Sequence, residues 1–318
     1  MPDALPGDPV FFFSLASSLK TQYDDQKRNR GGLFMSKILL SADSTCDLGS
    51  SLKEAFQVHY YPFHIILDGR DYQDNVDITP QEIFQTYYDR KILPRTAAIN
   101  VQEYLDYFRP FVDQGYEVVH LNLGSALSSA HQNCLLAARE LPGVYPVDSC
   151  NLSTGIGHLV LDAAQWIREG LPAARIASLL EERRSLVHSS FILDTLKFMS
   201  AGGRCSSITA LGANLLNIKP CIQVDNTSGA MHVGKKYRGT LDKVLPRYVK
   251  DTLRSCEKLK TNRLFITHSG IDDSYIRLVK EAVEQEASFE NIYVTQASCT
   301  ISCHCGPNTL GILFESEA

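Results

Sequence analysis

Several features this chain lacks narrow what it can be. It has no run of about 18 apolar residues, so no transmembrane helix and no membrane insertion are expected. Its most apolar early stretch, Val10 to Ala16, follows Asp3 and Asp8 instead of a basic segment, which makes it a poor signal peptide. It has no basic block, and its formal charge is −5, so there is no electrostatic case for nucleic acid as the main partner. Nine cysteines are present without a single C-x-x-C pair, a pattern that fits reduced thiols in a cytoplasmic protein better than a disulfide framework or a zinc site. A phosphate-binding P-loop is missing. Gly155-x-Gly157 stands alone without the rest of a dinucleotide fingerprint. Neither a serine nucleophile elbow nor a carboxylate pair of the glycosidase kind appears. Asp43 has Thr45 where a phosphatase-type second aspartate would stand.

What is present is a 318-residue chain, 44% hydrophobic, long enough for two domains. Residues 1–34 are read as an appendage, because Met35 leads directly into the first strand-like run, Ile38 to Ala42. From there, short apolar runs alternate with helical patterns. Thr79-Pro80-Gln81-Glu82 is a helix start with a capping box, and Asn100-Val101-Gln102-Glu103 is a second. Asp68-Gly69 is a hairpin turn, and Arg95 to Asn100 reads as a loop. Strand-like runs at Tyr116–Leu123 and Val144–Ser149, each followed by a helical segment, predict a parallel, doubly wound sheet over residues 35–165. Residues 166–318 read differently. Strands there flank the Asn226–Gly229 turn and recur at 264–268 and 291–295, which predicts an α+β domain with a mixed or antiparallel sheet.

The unusual polar residues fall in loops and at element ends: Thr96, Ser125, Arg204, Arg238 and His304. Hydroxyls, an imidazole and two guanidiniums suit a carboxylate or phosphate. Ser125 belongs to Gly124-Ser125-Ala126-Leu127-Ser128-Ser129, a strand-to-helix loop that either binds an oxyanion or caps the helix. Gly202-Gly203 lets the chain bend tightly and project Arg204. His304 precedes Gly306-Pro307 and a strand, which places its imidazole at a strand edge. Two other readings of that stretch stay open: an ordinary tight turn, and a metal site of Cys299, Cys303, His304 and Cys305. The set offers anion binders without an evident nucleophile and base, which points to carriage and implies no cofactor.

Taken in order, the motifs resemble those of the DegV family from about Lys37 to Phe314. Asp43-Ser44-Thr45-Cys46-Asp47 is similar to its Asp-Ser-Thr-x-Asp opening, and Asp68-Gly69 through Tyr72 and Asp74 to its hairpin. Leu196 to Arg204 resembles its Gly-Gly-Arg segment, and Leu215 to Pro220 its Leu-Leu-x-Ile-Lys-Pro. His304-Cys305-Gly306-Pro307-Asn308-Thr309 resembles its His-x-Gly-Pro-Gly-Thr, with asparagine replacing a glycine. The resemblance implies two α/β domains and a non-enzymatic carrier. A long-chain fatty acid would lie in an apolar tunnel, with its carboxylate at the interdomain cleft, presented to a fatty acid kinase. It further implies that Thr96, Ser125 and His304 hold the carboxylate while Arg204 and Arg238 serve the phosphate or the kinase contact. The loop after Thr96 departs from the family's Thr-Ser-Gln-Pro-Ser, and the loop holding Ser125 loses the first serine, the glycine and the threonine of the family's pattern. The rival reading is an enzyme acting on a small phosphorylated or carboxylated metabolite, with His304 as acid/base.

Overall fold

The computed structural model describes residues 37–211 and 218–318; the expectation for residues 1–34 lies outside the described residues. Strand β1 (Lys37–Asp43) pairs in parallel with β6 (Tyr116–Asn122), and both are fully buried toward their carboxyl ends. Strands β2 (His59–Tyr61) and β7 (Val144–Asp148) flank them, giving a sheet ordered β2-β1-β6-β7 in which every pair is parallel. Parallel strands covered on both faces read as Val, Ile and Leu runs, the pattern of Ile38-Leu39-Leu40 in β1 and Val118-Val119 in β6.

Local chemistry starts the helices where the sequence predicts. Helix α1 (Gly49–Ala55) follows β1. Thr79 caps α2 (Pro80–Arg90) and Glu82 returns the bond; Asn100 and Glu103 do the same for α3 (Val101–Val112). Each box satisfies two backbone donors that the helix itself leaves unpaired. Asp68 and Gly69 both take positive φ, 53° and 76°, in the two-residue turn between β3 (His64–Leu67) and β4 (Arg70–Gln73). The segment expected as a loop after Pro94 contains a strand, β5 (Arg95–Ala97), laid antiparallel on β3 with Ile65 opposite Thr96. Together these three form a small separate sheet, β4-β3-β5.

The second large sheet is ordered β10-β9-β8-β13-β11-β12. Its strands are β8 (Val187–Ile192), β9 (Ile218–Val224), β10 (Met231–Arg238), β11 (Leu259–His268), β12 (Ile292–Gln296) and β13 (Leu310–Ser316). Only β11 and β12 pair in parallel, so the sheet is mixed. Its two faces follow the two-residue period of a strand. Ile192, Leu264, Ile266, Ile312 and Phe314 pack under α8 (Leu241–Arg254) and α9 (Asp273–Glu286). Phe265 and Leu313 face the other way and join the core of the parallel sheet.

Between the sheets runs α5 (Thr154–Glu169), which follows α4 (Ala130–Glu140) and precedes α6 (Ala173–Arg183). Every residue from Thr154 to Ala164 is buried, as befits a helix with protein on all sides. A methyl group at Gly157 would lie 2.7 Å from Leu48, while the neighbouring His158 bonds the Leu313 carbonyl of β13 at 3.1 Å. The expected division at residue 165 falls within this helix.

His304, expected at a strand edge, sits in the last turn of a short helix, α10 (Cys299–Cys305). Ser298 caps that helix, and Gly306, at φ 76°, leads out of it into Pro307. Asn308 takes a left-handed φ of 58°, the conformation a glycine would otherwise supply. Helix α7 (Lys197–Gly202) packs across α10. Among the described residues no helix is long and apolar enough to cross a membrane.

Candidate functional site

The opening motif organises the site from the end of β1. The buried Asp43 carboxylate accepts from Tyr104 Oη at 2.8 Å and from the Leu123 N–H at 2.8 Å, with His120 Nε2 at 3.0 Å. It thereby anchors the strand-to-loop junction at Leu123. Ser44 donates to Asp74 at 2.8 Å and receives the Phe63 N–H at 3.1 Å. Asp74 in turn accepts the Cys299 N–H at 2.8 Å and the Thr300 N–H at 3.3 Å. Asp47 accepts the Ser298 N–H at 2.9 Å and the Ser153 hydroxyl at 2.6 Å. Two buried carboxylates thus take the unpaired donors at the start of α10. Burial pushes Asp74 above the usual carboxylate range and raises Asp47 to about 7.

Helix α10 carries His304 to Thr96, whose hydroxyl lies 2.9 Å from His304 Nε2. The other ring nitrogen, Nδ1, is buried without a hydrogen-bond partner. It rests on Gly202: a Cβ there would stand 2.2 Å from Nδ1. The first glycine of Gly-Gly-Arg therefore makes room for the imidazole. The second, at φ 67°, closes α7 and turns the chain toward Arg204. Arg204 spends two of its five donors on backbone carbonyls, Nη1 to Gly202 O at 2.7 Å and Nε to Leu127 O at 3.4 Å. Burial, and then the Arg204 charge, pull His304 down to about 4, so its ring is neutral at physiological pH.

Thr96, Arg204 and His304 border one open cavity of about 490 Å³, part of which is continuous with solvent. Two further hydroxyls, Ser128 and Thr300, border it as well. The rest of its wall is apolar, including Phe63, Leu123, Leu127, Leu152, Met199 and Ile301. A second cavity, about 330 Å³, lies against Phe191, Ala297 and Leu313 and shares Leu152, Ile301 and Cys305 with the first. Those three residues border both spaces, and Ser153, Thr267, His268, Ser269 and Thr309 also line the second.

The other two residues expected at the site stand apart from it. Ser125 is exposed and bound to Asp148, through its N–H at 3.0 Å and its hydroxyl at 2.5 Å, and it is not among the cavity's lining residues. Arg238 is exposed at the end of β10, paired with Ile218, and also absent from the lining. Ser128, three residues after Ser125 in the same serine-rich loop, lines the cavity instead; its oxygen accepts the Ala130 N–H at 3.2 Å, leaving its O–H to point elsewhere. Sequence reasoning had the loop but not the partner that diverts one of its serines. Thr300 carried no motif at all. Its only signal is its position one helical turn before His304.

The thiols weighed as metal ligands are buried, and burial pushes Cys299, Cys303 and Cys305 well up from the usual thiol range. Cys299 donates to Asn75 Oδ1 and to the Ile78 carbonyl, both at 3.2 Å. Neutral thiols are poor metal ligands. Among the described residues no group of three or more His, Cys, Asp or Glu side chains is disposed to hold a metal ion.

Comparison with known proteins bears on the whole of this architecture. The model of a family described as uncharacterised DegV proteins matches residues 37–317. A DegV domain-containing protein of Clostridium acetobutylicum is 28% identical over 282 residues, 88% of this chain and 99% of that protein. One from Clostridium perfringens is 29% identical over 289 residues, 88% of this chain and 98% of its own. Among solved structures, a DegV family protein from Thermus thermophilus, described by its fatty acid binding, superposes with a TM-score of 0.80 at 30% identity, covering 88% of this chain and all of its own, 100%. DegV of Bacillus subtilis, described as a fatty acid binding protein, shares the fold at a TM-score of 0.73 and 22% identity, covering 89% of this chain and 100% of its own.

Proposed function

Since this chain belongs to the DegV family, over residues 37–317, we propose that it is a fatty-acid carrier whose ligand carboxylate sits at the Thr96–His304 pair. The observation that carries the reading is the placement of that pair. A neutral imidazole and a hydroxyl, with a guanidinium beside them, border a largely apolar cavity that Ser128 and Thr300 also line. Its support from relatives is the Thermus thermophilus protein, 30% identical to this chain and described by its fatty acid binding. In this arrangement Arg204 supplies the counter-charge, with three N–H donors left after its two backbone bonds. Ser128 offers an O–H in the place expected of Ser125.

The acyl chain fills the apolar part of the first cavity and passes Leu152, Ile301 and Cys305 into the second, making one tunnel of the two. Each buried CH₂ contributes about 0.8 kcal/mol, so a long chain binds tightly with few polar contacts. The protein itself performs no chemistry. It presents the carboxylate to a fatty acid kinase in the cytoplasm, with Arg204 and the exposed Arg238 facing that partner. The rival enzymatic reading needs His304 as an acid/base, and burial with the Arg204 charge lowers the ring's basicity, which favours the carrier reading.

The test is native mass spectrometry of the full chain purified from cells, followed by solvent extraction. The expected result is one long-chain fatty acid per chain, released on denaturation. A polar metabolite in its place, or a chain that never retains lipid when offered it, would overturn the proposal.

A further inference from the structure

Three hydroxyls among the described residues are buried without a hydrogen-bond partner: those of Thr45, Thr300 and Ser302. Only Thr300 lines the cavity that holds Thr96 and His304. Leaving a buried hydroxyl without a hydrogen-bond partner is costly. Thr300 is 2% exposed, and its backbone is fixed by the bond from its N–H to Asp74. The hydroxyl also lies close enough to the Asp74 carboxylate to help hold its charge, though not in hydrogen-bond geometry. With its O–H turned toward that carboxylate, the oxygen's lone pairs are left without a donor.

Thr300 and His304 are four residues apart on α10, on one face and about 6 Å from each other. A carboxylate held at His304 and Thr96 therefore brings the first few carbons of its chain past Thr300. Around that point the wall is apolar, with Phe63, Ala98 and Ile301. We propose that Thr300 selects a fatty acid bearing a hydroxyl close to its carboxyl end, such as a 3-hydroxy acid, whose O–H donates to Thr300 Oγ1. A keto group would not serve, since it has no hydrogen to give. This inference rests on the fatty-acid reading of the cavity and names the class of acid within it.

The experiment compares hexadecanoic acid with 3-hydroxyhexadecanoic acid by titration calorimetry on the delipidated full chain. The expected result is a preference of about tenfold for the hydroxy acid, the effect of one buried hydrogen bond gained where a group was unpaired. In Thr300→Val the preference should fall to within about twofold; Thr300→Ser, which keeps the hydroxyl, should restore it. Equal affinities in the unmodified chain, or a preference that survives Thr300→Val, would overturn the inference and leave the fatty-acid reading standing. Failure of both acids to bind would overturn both.

Discussion

Replacing Gly202 by alanine should displace His304 without altering it. The added Cβ would stand 2.2 Å from Nδ1 and 3.0 Å from Cε1, against an ordinary contact of at least 3.4 Å. The imidazole must then retreat by about 1.2 Å, the difference between 3.4 and 2.2 Å. Its bond to Thr96 is 2.9 Å long, so a displacement of that size distorts it. Forcing a methyl group into a packed site costs about 1–3 kcal/mol, and alanine's better helix propensity returns up to about 1 kcal/mol at the end of α7. The net expectation is a loss of about 0–3 kcal/mol in chemical denaturation, together with loss of retained lipid in native mass spectrometry. The second arm is the pair Gly202→Ala with His304→Ala. Removing the ring empties the space the methyl group needs, so the stability penalty should vanish while lipid retention stays lost. That non-additivity is the signature of direct contact. Additive effects on stability, or a Gly202→Ala chain that keeps its lipid, would refute the account of Gly202 as the bed of the imidazole.

Two other expectations concern titration and the head group. His304→Ala should weaken lipid retention while leaving the circular dichroism spectrum unchanged, and unaltered retention would remove His304 from the site. Asp47 is raised to about 7 from an ordinary 3.8, so between those values the folded chain holds a proton the unfolded chain has released, and its contribution to stability falls as pH rises through that window. At about 1.4 kcal/mol per pH unit this is a few kcal/mol, and Asp47→Asn, which mimics the protonated acid, should gain on the unmodified chain when urea unfolding is compared at pH 5 and pH 8. A difference between the two chains that does not change with pH would show that Asp47 is ionised throughout.

The parts of this fold that were legible in the sequence are those whose cause is local. Thr79 with Glu82, Asn100 with Glu103, and the Asp68-Gly69 turn each complete their hydrogen bonds within a few residues, so a short window suffices to read them. Strand β5 has three residues and exists because β3 lies beside it, which no pattern within Arg95–Ala97 announces. Helix α10 is built of Cys299-Thr300-Ile301-Ser302-Cys303-His304-Cys305, residues of modest helix propensity, and its first turn is held by carboxylates from Asp47 and Asp74 more than 200 positions earlier. The same limit applied at the site. Thr96, Arg204 and His304 came together as the motif order implied, whereas Ser125 was drawn off by Asp148, and only the fold brings that carboxylate to it.

The seven-residue helix α10 has a consequence for how specificity can drift. Its Thr300 and His304 look onto the first cavity, while Ile301 and Cys305 look onto both. In the proposed carrier, this one short helix would both meet the polar head of an occupant and stand beside the passage of its tail. A substitution that tilts α10 to admit a different chain also moves the imidazole, so head recognition and chain accommodation are inherited together. Independent adjustment has to come from the opposite walls, from Phe63, Leu127 and Met231 on one side and from Phe191 and Ala297 on the other. On the carrier reading, those positions are where the choice of acid could change without disturbing the Thr96–His304 pair.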